Sequence, residues 1–264
     1  MPGAMARSFD DLVDEAGHHA TGGWDFSWLG DRMHTVPLPW DYTALVSSYA
    51  RASPDLLDMG TGGGEWLSDF HDRPARAVAT EAWGPNVPIA AQRLRPIGVG
   101  VVHVAPAPDN NLQPIGYDQR ALPFREASFQ LVVNRHESFV ATDVARTLAR
   151  GGHFITQQLG DGMFEDFRAL FDHSKSEGQP LTAAMAIAQL EAAGLQIEDQ
   201  GVGHETVTFA DVGALAWYLQ MTPWTVPGFS IENHRKRLKE LHGRISRHGP
   251  LGFAMPGFYV VAVK

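Results

Sequence analysis

The feature that most constrains the fold of this chain is residues 55–67, DLLDMGTGGGEWL, where a short apolar run leads into alternating glycines. Glycine permits backbone turns with positive φ and lets the backbone approach a ligand more closely than a Cβ would allow. The residues that follow have the pattern of a helix, whose first N–H groups can face a ligand. A strand, a glycine loop and a helix in this order predict a nucleotide-binding turn of an α/β fold.

The spacing of the glycines distinguishes between classes of nucleotide site. A dinucleotide fingerprint, G-x-G-x-x-G, requires glycine at position 65, which is Glu65, and the Gly-Lys-Ser/Thr of a P-loop is absent. The pattern is Asp58-x-Gly60-x-Gly62-x-Gly64. It resembles motif I of the class I S-adenosylmethionine (SAM)-dependent methyltransferases. The resemblance implies SAM as cofactor and methyl transfer as the activity.

A second acidic residue follows at the spacing of such a fold. A predicted helix over about residues 65–70 leads to a second apolar stretch, 77–80, and then to Glu81, which lies 81 − 58 = 23 positions after Asp58. A carboxylate at the tip of the second strand can accept hydrogen bonds from both ribose hydroxyls. A glycine run alone is also typical of an ordinary tight turn, but the ordered strand, loop, helix, strand and acid favour a ligand site.

Strand and helix patterns alternate along the rest of the chain, as a parallel sheet requires. We predict further helices over about 85–94, 142–149 and 182–193, and further strands over about 99–104, 128–134, 153–157, 195–198 and 258–263. The resemblance implies an α/β fold with a doubly wound, mostly parallel, seven-stranded Rossmann-like sheet. Its C-terminal strand is expected to be antiparallel, and a small helical and aromatic cap is expected beside it.

We expect one domain over residues 1–264, made of three parts. These are an N-terminal cap segment over 1–54, a SAM-binding core over 55–160, and a C-terminal half over 161–264 that carries a cap insertion at about 209–257. The resemblance covers 55–160 strongly and the terminal strands only loosely. Choice of substrate is therefore expected to depend on the unmatched segments.

The composition limits the partners that we expect. The formal charge is −9, which gives no concentrated positive surface for nucleic acid. A basic cluster at 233–240 coincides with apolar residues at helical spacing, so we interpret it as the solvated face of an amphipathic helix. The chain has no cysteine, and its histidines lack the spacing of a metal site, so we expect no metal. We expect a monomer or a homodimer.

The sequence also predicts a location. The first thirty residues contain no apolar signal-peptide segment, and no run of about eighteen apolar residues occurs. We therefore expect a cytoplasmic protein without a membrane partner. Its expected substrate is a small-molecule acceptor, aromatic or otherwise apolar.

The resemblance implies a set of cofactor-binding residues around the strand ends. In the family, an acidic residue before the fourth strand holds the adenine amino group, and Asp118 occupies that place in the segment DQRALPF. The complete predicted set is Asp58, Gly60, Thr61, Gly62, Gly64, Glu81, Asp118 and Asn134.

The residues after the fourth core strand are candidates for the chemistry. His136 is the predicted general base, because an imidazole suits proton removal at neutral pH, and Glu137 is predicted to orient it. Alternatively, both residues hold the loop, since methyl transfer from a sulfonium can proceed by orientation of the nucleophile alone. Arg135 either anchors an acidic substrate or forms a salt bridge with Glu137 or Asp143.

Aromatic residues are frequent in the two unmatched segments. Such rings usually pack in a core, but some of them can line an acceptor pocket. The predicted substrate residues are Trp24, Trp40, Arg135, His204 and Trp224. Methylation of RNA or protein, and a SAM-binding regulatory subunit without transfer activity, are the alternative functions.

Overall fold

The computed structural model of the chain describes residues 7–19, 26–172 and 181–264. The helices are α1 (Phe9–His18), α2 (Tyr42–Ala50), α3 (Glu65–Asp69), α4 (Asn86–Leu94), α5 (Ala141–Thr147), α6 (Glu165–Leu170), α7 (Ala183–Ala192), α8 (Val212–Met221) and α9 (Arg235–His248). The strands are β1 (Met33–Val36), β2 (Asp55–Met59), β3 (Arg76–Glu81), β4 (Gly100–His103), β5 (Phe129–Arg135), β6 (Leu148–Leu159), β7 (Gln196–Phe209) and β8 (Leu251–Val263). Within the described ranges, no helix has both the length and the apolar character needed to cross a bilayer.

The strands form one mixed sheet in the order β1-β7-β8-β6-β5-β2-β3-β4. The neighbours β4, β3, β2, β5 and β6 pair in parallel, and β8 pairs with β6 antiparallel. This topology confirms the predicted α/β fold with a mostly parallel sheet and an antiparallel C-terminal strand. The strands β3 and β4 follow on one side of β2, whereas β5 and β6 follow on its other side, so the order of the strands reverses between β2 and β5. Ligands bind in such sheets at the carboxyl ends of the strands beside this point.

The sheet has eight strands, not the predicted seven. The additional strand, β1, pairs antiparallel with residues 206–209 of β7. Its four residues alternate between half-buried and exposed, so they give only a short and weak apolar pattern. Strand β7 also extends well beyond the predicted residues 195–198. Only two of its fourteen positions are buried, so it carries no continuous apolar signal that would have predicted the extension.

The chain forms two compact units. The larger unit comprises Pro39–Asp161, Gly178–Gly203 and Pro256–Lys264, and the smaller unit comprises Met1–Leu38, Gly162–Glu177 and His204–Met255. The expected division into a cap, a SAM-binding core and a cap insertion remains a prediction.

The larger unit has an apolar layer on each face of its parallel strands. Along β5, Val132 packs with helices α5 and α7, whereas its neighbours Leu131 and Val133 pack with α2, α3 and α4. Successive side chains of a strand point to opposite faces, so a strand covered on both sides needs a continuous apolar run. The run FQLVVN therefore places Asn134 at the end of a strand that is buried on both faces.

The smaller unit has an aromatic core of its own. The rings of Phe167 and Phe253 are stacked with centroids 3.9 Å apart, and the fully buried Trp217 lies 5.0 Å from Trp28. Helix α9 buries Leu238 on its apolar side while its lysines are exposed. The helix is therefore amphipathic with its lysines on the solvated face, although residues 233 and 234 of the basic cluster precede it and Arg237 is half-buried against the Leu170 carbonyl.

Candidate functional site

The glycine loop after β2 has the backbone that its sequence predicts. Gly60, Gly62 and Gly64 all have positive φ, at 70°, 62° and 81°. A Cβ at Gly64 would lie 2.9 Å from Leu94, so this glycine is required for packing of α4. A Cβ at Gly62 would meet no protein atom within 4 Å. The backbone at Gly62 therefore faces open space that a ligand can use.

Glu81 connects the glycine loop to the end of β3. Its buried carboxylate accepts one hydrogen bond from the Gly62 N–H and one from the Trp83 N–H, each 2.7 Å long. Each carboxylate oxygen can accept more than one bond, so both retain capacity for ligand hydroxyls. The first predicted cofactor residues, Gly62 and Glu81, are thus brought into direct contact.

Asp58 and Thr61 complete the turn below Glu81. Asp58 is buried at the end of β2, and burial raises the pKa of its carboxyl group to about 6. The Thr61 N–H donates to the Thr80 carbonyl over 2.9 Å, which fastens the loop to β3. Asp58 and the backbone of Thr61 therefore belong to the frame of the loop.

A narrow cleft, partly open to solvent, lies beside these residues. Its lining is mainly apolar and includes Met59, Ala82, Val104, Leu122 and Val140. An apolar cleft at the carboxyl ends of parallel strands is typical of a small-ligand site, in which a few polar groups determine orientation.

Two ionisable side chains, Glu137 and Asp143, occur among the described residues that line the cleft. Asp143 accepts bonds from the Ala121 and Leu122 N–H groups, at 2.8 and 2.7 Å, and pairs with Arg146. Its polar requirements are therefore satisfied within the protein. The sequence did not identify this residue as part of the cleft, because only the fold brings the first turn of α5 against the loop at 121–122.

Glu137 differs from Asp143, because its carboxyl group makes no hydrogen bond or ion pair with any described residue. Burial and the neighbouring carboxylates of Glu81 and Asp109 raise the pKa of Glu137 to about 7. Its side-chain carbons lie against the glycine loop, since a Cβ at Gly60 would be 2.5 Å from the Glu137 Cβ.

Asp118 lies apart from this group. Its side chain is exposed and is not among the residues that line the cleft. The loop that carries it is fastened through its neighbour Tyr117, whose carbonyl accepts a bond from the Thr142 hydroxyl at 3.1 Å.

Side chains of β6 hold the turn that follows β5. His136 has a φ of 60°, an uncommon value for a residue other than glycine, and its N–H donates to the Gln157 carbonyl over 2.9 Å. The Gln158 amide donates to the Glu137 carbonyl at 3.0 Å and to the Asn134 side-chain oxygen at 2.6 Å. The amide nitrogen of Asn134 is buried without a hydrogen-bond partner among the described residues.

The orientation of the Gln157 amide follows from Trp40. The Trp40 indole N–H donates to the Gln157 oxygen over 2.8 Å, and an indole can only donate. The Gln157 amide nitrogen then faces the Nε2 atom of His136 at 3.4 Å. An amide donor at this position favours an unprotonated Nε2. Two residues that are distant in sequence thus determine the proton position on His136, and no local motif predicts this.

Two effects keep His136 neutral. Desolvation on its protein-facing side, and then the charge of Arg135, lower the pKa of His136 to about 4, although the residue as a whole is exposed. Arg135 lies over the ring of Tyr42, with the guanidinium carbon 5.7 Å from the ring centroid. The salt bridge of Asp143 is formed with Arg146 and not with Arg135.

The remaining predicted substrate residues are not gathered at the cleft. Trp40 belongs to the larger unit and packs against Tyr259, with ring centroids 5.0 Å apart. His204 and Trp224 are exposed residues of the smaller unit. Trp24 lies outside the described residues.

No family profile and no curated protein sequence matches the chain. Solved structures do. A Bacillus halodurans C-125 protein assigned as a methyltransferase is 15% identical with a TM-score of 0.56, over 84% of this chain and 96% of that chain. The Bacillus subtilis YcgJ protein is 17% identical with a TM-score of 0.57, over 84% and 97% of the two chains. The fold is that of the class I SAM-dependent methyltransferases.

Proposed function

We propose that this chain is a SAM-dependent methyltransferase that acts on a small-molecule acceptor. The observation that carries the proposal is the contact between Gly62 and Glu81, which joins the glycine loop to the acid at the next strand end with a bond of 2.7 Å. A tight turn that binds no ligand does not need a buried carboxylate with spare acceptor capacity beside it. Such a carboxylate can accept hydrogen bonds from the two hydroxyls of a ribose.

Three features of the strand ends fit this cofactor. The space beside Gly62 is open, the Glu81 oxygens can accept ribose hydroxyls, and the amide nitrogen of Asn134 is buried without a partner. The apolar cleft residues, Ala82 and Leu122 among them, would hold the adenine ring. SAM supplies an activated methyl group on a sulfonium.

The protein's own part of the reaction is to orient the acceptor and to receive a proton where the acceptor must lose one. His136 is the predicted general base, but its low pKa makes it a weak one. Glu137 faces the cleft with a pKa of about 7, which is closer to the operating pH. For an acceptor that is already ionised, orientation alone is sufficient.

The charge of the chain bears on the acceptor class. A net charge of −9 disfavours RNA, and the predicted acceptor is a small apolar or aromatic molecule. We propose that the enzyme works in the cytoplasm as a monomer or homodimer, with neither nucleic acid nor membrane as partner. A regulatory subunit that binds SAM without transferring its methyl group is the second candidate.

Titration calorimetry with SAM and with S-adenosylhomocysteine tests the cofactor. We expect saturable binding of both ligands, and absence of binding to either one refutes the proposal. A screen of small acceptors with radiolabelled SAM then separates an enzyme from a regulatory subunit. Label transfer to any small acceptor supports the enzyme, while binding without transfer across the screen favours the regulatory subunit.

A further inference from the structure

Glu137 is the one lining side chain of the cleft whose charge has no partner among the described residues. Its Cβ and Cγ lie 2.5 and 2.6 Å from the position of a Cβ at Gly60, so the side chain is seated directly on the glycine loop. An unpaired carboxylate in a mainly apolar environment is costly and gains from any opposite charge that enters the cleft.

The groups that face Glu137 from neighbouring elements have the same sign. Glu81 ends β3, and Asp109 lies in the loop after β4. Behind them, the buried Asp58 of β2 interacts with Glu81. On its own turn, the cationic Arg135 is exposed and lies over the ring of Tyr42.

The two other ionisable groups nearby do not neutralise this carboxylate. His136 is uncharged at neutral pH and faces Gln157, and Asp143 is paired with Arg146. The described lining of the cleft contains no Lys, Arg or His. The cleft is therefore negatively charged and lacks a cation of its own.

We propose that Glu137 recognises the positive charge of the cofactor, so that the cleft binds SAM in preference to S-adenosylhomocysteine. This inference rests on the proposed function. The two ligands differ by one methyl group and by the sulfonium charge, and the rest of their contacts are shared. The ratio of their affinities therefore isolates the charge, and a preference for the cation also favours release of the neutral product.

The pH dependence has a defined sign. Only the ionised carboxylate attracts a cation, and the pKa of Glu137 is raised to about 7. The preference for SAM is present above that pH and declines as Glu137 becomes protonated below it. The sulfonium charge lowers the pKa of the amino group of SAM alone, so the pH-dependent change that remains in Glu137→Gln is subtracted as the contribution of the ligands.

The experiment is calorimetry of both ligands at about pH 6 and about pH 8.5, on either side of this pKa. For the unmodified protein we expect the affinity ratio of SAM to S-adenosylhomocysteine to rise about tenfold between the two. In Glu137→Gln this tenfold rise is expected to be absent. As a matched control we choose Glu126→Gln, an exposed residue paired with Arg120, which should leave the rise unchanged.

A second variant tests the inference without altering Glu137. Asp109→Asn removes one of the carboxylates that raise the pKa of Glu137, so that pKa should fall. The rise in the affinity ratio of SAM to S-adenosylhomocysteine should then keep its size but occur at a lower pH. A ratio that does not change with pH in the unmodified protein, or a full rise in a folded Glu137→Gln variant, overturns the inference and leaves the proposed function intact. Failure of both ligands to bind the unmodified protein overturns both.

Discussion

The turns after β2 and after β5 lie at the same edge of the parallel sheet but are built differently. After β2, left-handed glycines bring the backbone around, and one carboxylate, Glu81, collects two backbone N–H groups. After β5, the left-handed residue is His136, and side-chain amides of Gln157 and Gln158 hold the turn. The first turn depends on backbone conformation, which a short sequence motif can encode. The second turn depends on a network of side chains that come from distant positions in the sequence.

Gly60→Ala is expected to have the largest effect on stability, because its new side chain in the turn after β2 would clash with the turn after β5. The new Cβ would lie 2.5 Å from the Glu137 Cβ, at a φ of 70° that already disfavours alanine. Left-handed strain of about 1–2 kcal/mol and overpacking of about 1–3 kcal/mol both act on the folded state. We expect a loss of about 3 kcal/mol in the free energy of unfolding, measured by urea denaturation.

Gly98→Ala is the matched control for that measurement. Gly98 has a φ of 75°, and a Cβ there would meet no atom within 4 Å, so only the strain remains. Gly62→Ala should resemble Gly98→Ala in stability but should weaken SAM binding, since its open space is the proposed ligand space. Equal losses of stability for Gly60→Ala and Gly98→Ala would show that the two turns are not in tight contact.

Glu81→Gln is expected to have the next largest effect and concerns the turn after β2 alone. The Gly62 and Trp83 N–H groups bond to different oxygens of Glu81, so in the variant one of them faces an amide NH2, which cannot accept. The amide also carries no charge for the ribose. Loss of one charge-assisted bond of about 1.5–3 kcal/mol should weaken SAM binding by about 10- to 100-fold. Calorimetry measures it, with the exposed Glu191→Gln on α7 as the control. Unchanged SAM affinity would remove Glu81 from the cofactor site.

The same contrast explains how much could be predicted from the sequence. The order of strands and helices from 55 to 160, with the glycine loop after the first strand and Glu81 at the end of the second, follows from glycine spacing and apolar periodicity, which are local signals. The position of Trp40 on Gln157 joins residues that are 117 positions apart. Such a contact depends on which strand lies beside which, so the hydrogen-bond partners of His136 could not be obtained from its neighbours in sequence.

His136→Ala is expected to have the smallest effect. With a pKa of about 4 and an amide donor 3.4 Å from Nε2, the imidazole is a weak proton acceptor. We expect kcat on an identified acceptor to fall by less than about threefold, with SAM affinity nearly unchanged. A general base would instead account for roughly 10²- to 10⁴-fold, so a loss of that size would support the sequence-based prediction for His136.

Gln157→Glu tests whether the Gln157 amide donor contributes to the weak basicity of His136. A carboxylate can still accept the Trp40 indole N–H, and it replaces the amide donor at Nε2 with an acceptor that stabilises the protonated ring. The pKa of His136 should therefore rise from about 4 toward the ordinary histidine value. An NMR titration of the histidine ring signals measures it, and comparison with His136→Ala identifies the signal. If the pKa of His136 stays the same in Gln157→Glu, the network after β5 holds the backbone turn only, and Arg135 and desolvation alone keep the ring neutral.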